Sequence, residues 1–309
     1  MNRKNACFLS IIIPVYNDVK RLQLCLDSLE NQTLPRHQYE IIVVDNNSQD
    51  DIKTAVQNFD QVMLAYEPLP GSYLARNKGI SLAKGDILAF TDSDCIPAKD
   101  WLEKGSKHLL SIQGCGFVAG NIKFFFDAHN QPNPIELYDS LVNLQQKKYL
   151  EEQGWGATAN LFTFKDVFDD VGLFNVHLKS GGDAEWGKRV SSRGYNVIYA
   201  EDCCIRHPAR SSLKEIYKKI QRTMSGVYAI SQTSQNQQVR QLFAPNDNPL
   251  THSLLTQLRP PLRSAFQKSY QDRRLKKIHE KTTIFLLIFL LHYLKVFELF
   301  RLKTGKFQT

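Results

Sequence analysis

Gly85-Asp86-Ile87-Leu88-Ala89-Phe90-Thr91-Asp92-Ser93-Asp94-Cys95 is the stretch that decides how the rest of this chain is read. Ile87 to Phe90 is an apolar run that predicts a buried strand, and it leads straight into two carboxylates one residue apart. Successive residues of an extended chain point to opposite sides, but a turn starting at Asp92 brings both carboxylates towards one point. At the C-terminal end of a strand in an open α/β sheet, such a point is where ligands bind. Hard divalent cations take carboxylate oxygens and keep positions open for phosphate, so a nucleotide pyrophosphate is the candidate ligand. Taken alone, the three residues Asp92 to Asp94 also read as a plain polar turn.

Working outward, Phe8 to Val15 is an Ile-rich run that predicts a strand buried on both faces. After Tyr16-Asn17, the residues Leu22, Cys25, Leu26 and Leu29 fall at i, i+3, i+4 and i+7, one apolar face of a helix. Ile41 to Val44 predicts the next strand, Ile52 to Phe59 a helix and Val62 to Ala65 a third strand. This alternation predicts a parallel sheet with helices on both faces. Further on, helices are expected over Ser72 to Ala83, Lys99 to Ile112 and Pro134 to Gln153, and one opened by Gly181-Gly182-Asp183 that runs to Ser192. Strands are expected over Phe117 to Phe126 and Ala159 to Phe164, with two short extended pieces at Val197 to Tyr199 and Cys204 to His207.

With 309 residues, 42% hydrophobic and 23% charged, the composition is that of an ordinary globular chain and excludes fibrous or low-complexity classes. The six cysteines show neither C-x-x-C spacing nor a disulfide framework, which points to a reducing setting. Met1 to Asn5 is polar and leads directly into a strand, so a cytoplasmic location is expected. Charge is uneven. Between Leu213 and Thr309 there are 17 Lys and Arg against 5 Asp and Glu, so this part carries +12 while the first 212 residues carry −4. An anionic membrane surface or nucleic acid is the natural partner of such a segment.

An ordered set of motifs resembles glycosyltransferase family 2, the inverting enzymes of the GT-A fold: SIIIPVYND (Ser10 to Asp18), VVDNNSQD (Val43 to Asp50), GSYLARNKGI (Gly71 to Ile80), FTDSDC (Phe90 to Cys95), ATANLF (Ala157 to Phe162), SGGDAEWGKRV (Ser180 to Val190) and then His207. The resemblance covers about Phe8 to Met224 and implies an α/β fold of the GT-A, Rossmann-like nucleotide-diphospho-sugar transferase type, with a mostly parallel central sheet and a C-terminal helical extension. It implies that Pro14, Tyr16, Asp45 and Asn46 hold the nucleoside, where many members have a second Asp in place of Asn46. Arg76 matches the arginine near the diphosphate, suited to it by its fixed fork of donors. Asp92, with Ser93, would contact the ribose or the water shell of a Mn²⁺ or Mg²⁺ ion. Asp94 would bind that ion, and His207 would complete its site, although a hydrogen-bonded histidine at a strand end reads equally well.

Asp183 matches the general base that takes a proton from the acceptor hydroxyl, a task that needs a carboxylate. A helix cap also explains an Asp here, and the acidic neighbour that often precedes it in the family is Gly182 in this chain. Trp155, Asn160, Gly182, Glu185 and Trp186 would contact acceptor or sugar, with core packing as the competing reading for Trp186. The implied reaction is transfer from a nucleotide sugar to a glycan or lipid-linked acceptor in cell-envelope or exopolysaccharide synthesis. A catalytically inactive binder and a nucleotidyltransferase are the alternatives; the latter would carry a Gly-rich basic loop after the first strand, where this chain has Tyr16-Asn17-Asp18.

The expected division is a GT-A domain over 1–230, a Gln, Asn and Ser-rich linker over 231–260 and a basic and apolar helical extension over 261–309. The uncharged run Thr282 to Leu294 falls short of the ~20 apolar residues that cross a bilayer, so it is expected to lie peripherally on the inner face of the cell membrane. Packing on the catalytic domain is the alternative, and nucleic acid is not expected as a partner, because aliphatic runs stand where stacking aromatics would be needed.

Overall fold

Leu9–Val15 forms β1, and its side chains are buried on both faces, as the unbroken Ile-rich run requires. In the computed structural model, residues 7–59, 61–126, 131–232 and 259–304 are described. Their contacts form two units. The first comprises Met1–Phe125, Gln145–Val176 and Gly182–Pro208, and the second Phe126–Leu144, His177–Gly181 and Ala209–Thr309.

In the first unit β1 is flanked by β2 (Tyr39–Asp45) and β4 (Ile87–Thr91), with β3 (Val62–Tyr66) outside β2, all parallel. The crossovers are α1 (Val19–Glu30), α2 (Ile52–Val56) and α3 (Ser72–Leu82). Leu22, Cys25, Leu26 and Leu29 of α1 are buried, the face read from their spacing. A Cβ at Gly79 would lie 2.5 Å from Ile12 Cγ2, so this glycine is what lets α3 lie tight against β1.

The sheet continues through β5 (Ile96–Pro97), β6 (Cys115–Phe125), β7 (Asn160–Phe164) and β8 (Asn196–Pro208), in the order β3-β2-β1-β4-β7-β6-β8-β5. β7 is antiparallel to both β4 and β6, β8 is parallel to β6, and β5 is antiparallel to β8, so the parallel half carrying the carboxylates is extended by a mixed half. The two short pieces expected near the end are one strand, β8. Ala200 pairs with Gly120 and Cys204 with Asn121, so residues 201–203 bulge out between two well-paired halves.

Helix α4 (Trp101–Ser111) follows β5. The single helix expected over Pro134 to Gln153 is two, α5 (Pro134–Val142) and α6 (Gln146–Gln153). The break is at Leu144, which takes a positive φ of 50°, after Asn143 has folded back to donate its Nδ2 to Asp139 Oδ1 at 2.6 Å. Helices α7 (Lys165–Val171) and α8 (Gly182–Ser192) complete the first unit.

The second unit is helical, with α5, α9 (Leu213–Gln232), α10 (Leu262–Tyr270) and α11 (Ile278–Thr304). Its core gathers Tyr138 and Leu141 of α5, Ile216, Ile220 and Met224 of α9, and Ile284, Ile288, Leu291 and Leu299 of α11. Burying each aliphatic side chain contributes about 1.5–3 kcal/mol. Helix α9, expected within the GT-A domain over 1–230, groups with the C-terminal helices, and most of the expected linker lies outside the described residues.

Helix α11 is longer than the uncharged run predicted. It continues through Glu298 and Arg301 because these two neutralise each other, Arg301 Nη2 lying 2.6 Å from a fully buried Glu298 Oε1. By length and composition it is sufficient to cross a membrane. One face is buried in the core, while Leu286, Leu290, Tyr293, Phe297 and Phe300 form an exposed stripe.

Candidate active site

The loops after β1, β2 and β4 meet at the C-terminal edge of the parallel half, beside the point where strand order reverses. Asn17, at a positive φ of 50°, laces the first two together: its Oδ1 accepts from Gln49 N at 2.6 Å, and its own N donates to Ser48 Oγ at 3.0 Å. Asp45 Oδ1 accepts from Ser48 N at 2.9 Å, which fixes the turn after β2. Tyr16 stands 61% exposed at this edge, and Pro14, two residues before it on β1, is partly buried.

Asn46 has a different task from the one expected. Its Nδ2 donates to the carbonyls of Glu67 and Leu69 at 3.1 and 2.6 Å, and its Oδ1 accepts from Gly71 N at 2.7 Å. Buried and bonded at both ends of the amide, it fixes the loop that launches α3, and those groups are spent on the protein.

From α3, Arg76 projects to Asp92, with Nη2 2.5 Å from Asp92 Oδ1. The arginine is buried and its Nε has no hydrogen bond, so its main visible work is to neutralise and aim Asp92. Ser93 is buried in the turn between the two carboxylates, and the turn is closed by Cys95 N donating to Asp92 O at 3.1 Å.

The short strand β5 then supplies the means by which His207 reaches Asp94. Pairing of Ile96 with Arg206 carries the end of β8 alongside, and His207 arrives opposite Asp94 with Nε2 3.7 Å from Asp94 Oδ1. Asp92, Asp94, Cys95 and His207 each offer a ligand atom, all within 4.8 Å of one another.

The donor chemistry fits a divalent cation. Nδ1 of His207 lies 2.7 Å from the Pro208 carbonyl, which can only accept, so Nδ1 carries a proton. In the neutral ring Nε2 then presents a lone pair towards a carboxylate, an arrangement that favours a cation between them, and the carbonyl orients the ring as partners of metal-ligating histidines do. Cys95 is a poorer ligand: burial first, then Asp94 and Asp92, push its thiol well above the ordinary range, and as a thiol it points to Asp94 Oδ1 at 3.8 Å. Carboxylate oxygen with one imidazole is the donor set left.

Asp183 lies in the first turn of α8, held by Tyr73 of α3. The Tyr73 hydroxyl accepts from Gly182 N at 2.8 Å and Asp183 N at 3.3 Å and donates to Asp183 Oδ1 at 3.2 Å. Gly182 is glycine for this contact: a Cβ there would lie 2.7 Å from the Tyr73 ring. Oδ1 also accepts from Ala184 N at 3.0 Å, and among the described residues Oδ2 takes no hydrogen bond. Burial pushes the Asp183 carboxyl up; Arg76 opposes this, and Asp92 adds a smaller rise. Arg76 lies 5.7 Å from the centre of the Tyr73 ring, so the tyrosine that holds Asp183 also borders the Arg76–Asp92 pair. A carboxylate so raised, with one oxygen uncommitted, is suited to accepting a proton.

Three of the other residues expected to touch sugar or acceptor, Trp186, Asn160 and Glu185, are buried and committed within the protein. Trp186 is fully buried, stacked on Phe168 with ring centroids 4.6 Å apart. Asn160 is also fully buried; its Oδ1 accepts from Trp101 Nε1 at 2.8 Å and its Nδ2 bonds the carbonyls of Asn121 and Cys203. Glu185 holds Arg189 through both oxygens at 2.8 and 3.0 Å, and Arg189 in turn caps carbonyls after α7. Trp155 is partly buried and stacks on Tyr149 at 4.2 Å.

Three residues were missed: Tyr73, Asp18 and Arg21. Tyr73 precedes Arg76 by three positions and so shares its helix face, a signal that was available. Asp18 and Arg21 pair at 2.9 Å, and Arg21 Nη1 also lies 3.9 Å from Asp94 Oδ2. Burial pushes the Asp18 carboxyl up against the opposing pull of Arg21, with Asp94 adding to the rise.

Comparison with known proteins agrees with this geometry. The sequence model of "Glycosyl transferase family 2" matches residues 10–165. The chain is 42% identical over 217 residues to Glycosyltransferase AglE of Haloferax volcanii, an alignment spanning 69% of this chain and 70% of that one. It is 23% identical over 230 residues to a dolichyl N-acetyl-alpha-D-glucosaminyl phosphate 3-beta-D-2,3-diacetamido-2,3-dideoxy-beta-D-glucuronosyltransferase of Methanococcus voltae, again over 69% and 70% of the two chains. Among solved structures, the mannosyltransferase PcManGT from Pyrobaculum calidifontis in complex with GDP-Man and Mn²⁺ superposes with a TM-score of 0.65 at 17% identity, covering 98% of this chain and 89% of that one. S. aureus TarS 1–349 in complex with UDP gives 0.53 at 16% identity, covering 98% and 93%. The fold is therefore the GT-A fold of glycosyltransferases. With the family model matched across the carboxylate loops and a relative this similar over two thirds of both chains, the protein belongs to glycosyl transferase family 2 and is a glycosyltransferase.

Proposed function

We propose that the chain is a metal-dependent inverting glycosyltransferase that moves a sugar from a nucleoside diphosphate onto a lipid-linked or glycan acceptor. The observation that carries this reading is the linkage of two sites through one ion pair. Arg76 holds Asp92 at the edge of the Asp94–His207 cluster, and its guanidinium lies 5.7 Å from the centre of the Tyr73 ring, whose hydroxyl holds Asp183. Asp94 and His207 would hold Mn²⁺ or Mg²⁺, which offsets the negative charge that builds on a diphosphate leaving group. Tyr16 and Asp45 offer an exposed ring and a carboxylate for the nucleoside. Asp183 Oδ2 takes the proton of the acceptor hydroxyl while the hydroxyl oxygen bonds to the anomeric carbon and the bond to the nucleoside diphosphate breaks on the opposite face, which inverts the configuration.

The nucleotide sugar and Mn²⁺ of the PcManGT complex and the UDP of the TarS complex support the donor class. The name of the Methanococcus relative, whose acceptor is a dolichyl-linked sugar phosphate, supports a lipid-linked acceptor. For such an acceptor the exposed stripe of α11 would lie peripherally in the interfacial zone of the cytoplasmic face, with neighbouring lysines and arginines on anionic headgroups. The test is incubation with a panel of nucleotide sugars, with Mn²⁺, Mg²⁺ or chelator, reading nucleotide release and the anomeric configuration of product by NMR. Metal-stimulated release with inversion is expected. Undiminished release in chelator contradicts metal dependence, and retained configuration contradicts a single displacement.

A further inference from the structure

Around Asp139 the helical unit gathers more positive charge than carboxylate. Asp139 of α5 is fully buried and already satisfied: Oδ2 accepts from Arg210 N at 3.0 Å and Arg210 Nη1 at 3.2 Å, and Oδ1 from Asn143 Nδ2 at 2.6 Å. Lys219 of α9 is a second cation on the same carboxylate. Its Nζ stands 3.9 Å from Oδ1, outside hydrogen-bond reach, and its side chain is only 19% exposed. It follows buried Ile216 by three positions and adjoins buried Ile220, with Arg222 one turn further on. On α11, Lys295 stands four residues from both Leu291 and Leu299, in the middle of the face that enters the core shared with α9. It is half-buried, and among the described residues it has no hydrogen bond or ion pair. Nearby carboxylates are spent elsewhere, Glu298 on Arg301 and Glu215 on the backbone N–H groups of Ser211 and Ser212.

An ammonium taken out of water without a counter-charge is costly, and apolar side chains at 219 and 295 would serve the core better. Burial and then Arg210 push the Lys219 ammonium down to about 7 against the pull of Asp139, with Arg222 and Lys295 adding to the fall. This surplus charge calls for an anion, and phosphate oxygens are strong acceptors for both ammonium and guanidinium donors. Leu262 and Phe266 of α10 and the stripe of α11 are exposed apolar surface on the same unit, of use to a lipid chain and of none to a free phosphate. We infer that Lys219 and Lys295, with Arg210 and Arg222, form a binding site for a phosphate group, that of a lipid-linked acceptor. This goes beyond the donor-side reading above and rests on it only for the class of acceptor.

The test uses the full chain without donor or metal, at constant ionic strength, and three probes: inorganic phosphate, submicellar farnesyl phosphate and phosphatidylglycerol vesicles. Binding and thermal unfolding are followed in wild type, Lys219→Met, Lys295→Met and Lys219→Arg. Farnesyl phosphate should bind wild type about 10-fold or more tightly than inorganic phosphate and raise its unfolding temperature. Each Met variant should bind it about 10-fold or more weakly. Without ligand these variants should unfold at or above the wild-type temperature, because Met removes an unpaired charge and Arg210 still pairs with Asp139. Lys219→Arg keeps the cation and should bind near wild type; if Arg and Met at 219 bind alike, the charge plays no part and the site is overturned. A lower unfolding temperature with unchanged farnesyl phosphate binding makes the lysines structural and overturns it too. Equal binding of the inorganic and farnesyl phosphates, or displacement of farnesyl phosphate by the vesicles at equal lipid phosphate, overturns the acceptor lipid as the source. Failure of the donor reading is seen separately, in nucleotide release.

Discussion

Tyr73 and Asp183 are joined by a single hydroxyl that accepts from the backbone of Gly182 and Asp183 and donates to Asp183 Oδ1 at 3.2 Å. Tyr73 and Arg76 share one face of α3, so the helix that aims Asp92 also sets the start of α8. Tyr73→Phe removes the donor from the carboxylate and the acceptor from the N–H groups of Gly182 and Asp183. The expected cost is about 1–3 kcal/mol of stability, together with slower transfer and unchanged donor affinity. Thermal unfolding and a donor titration check both; donor affinity falling in step with the rate would place Tyr73 in donor binding instead.

Asn46 gives a prediction of the opposite kind. Since its amide is bonded to Glu67, Leu69 and Gly71, Asn46→Ala should lose roughly 2–4 kcal/mol of stability from the unpaired groups left behind. The ranking of UDP against GDP should stay as it is. A change in that ranking with an intact unfolding midpoint would return Asn46 to the nucleoside.

The raised Asp183 carboxyl has a signed consequence for stability. A folded-state value above the unfolded 3.8 means the folded chain holds this proton more tightly than the unfolded one. Stability from that source is full below the unfolded value and is lost as pH rises through the folded one. Above that window wild type carries an ionised, desolvated carboxylate, and Asp183→Asn should unfold at a higher temperature. The gain should fade as pH falls below 3.8, where the wild-type side chain becomes neutral in both states. Unfolding scans of the two proteins across this range decide it.

How much of this was legible follows from how local each signal is. β1, the apolar face of α1 and the strand leading into Asp92 are written in consecutive or helically spaced residues, and the carboxylate pair is visible as a pair. The union of His207 with Asp94 depends on β5, a two-residue strand with no periodicity to read, finding β8. Tyr73 and Asp183 meet across 110 positions, a closure no local pattern encodes. Asn46 and Asn160 carried the right residue type for ligand contact but are buried where backbone groups needed partners. Trp186 went to the aromatic core for the same reason that large rings generally do.

Membrane contact is tested best by substitution, because α11 supplies Ile284, Ile288, Leu291 and Leu299 to the core and deleting it would expose Tyr138 and Leu141. Leu290→Ser with Phe297→Ser alters two exposed positions of the stripe and should leave the fold intact. Binding to anionic vesicles at low salt should weaken by about 10-fold or more, since each side chain is worth on the order of 1 kcal/mol when partly immersed. Vesicle binding that ignores both the substitutions and the anionic lipid would assign the stripe to another partner.

The central claim is that donor binding belongs to the Asp94–His207 cluster and proton removal to Asp183. The most direct measurement is the Mn²⁺-dependent affinity for an accepted nucleotide sugar, taken beside the single-turnover rate of transfer, in wild type and in Asp183→Asn. The account predicts donor affinity within about 2-fold of wild type and a transfer rate lower by on the order of 10²-fold or more. Transfer at a near-normal rate, or a loss that lies wholly in donor affinity, would contradict it.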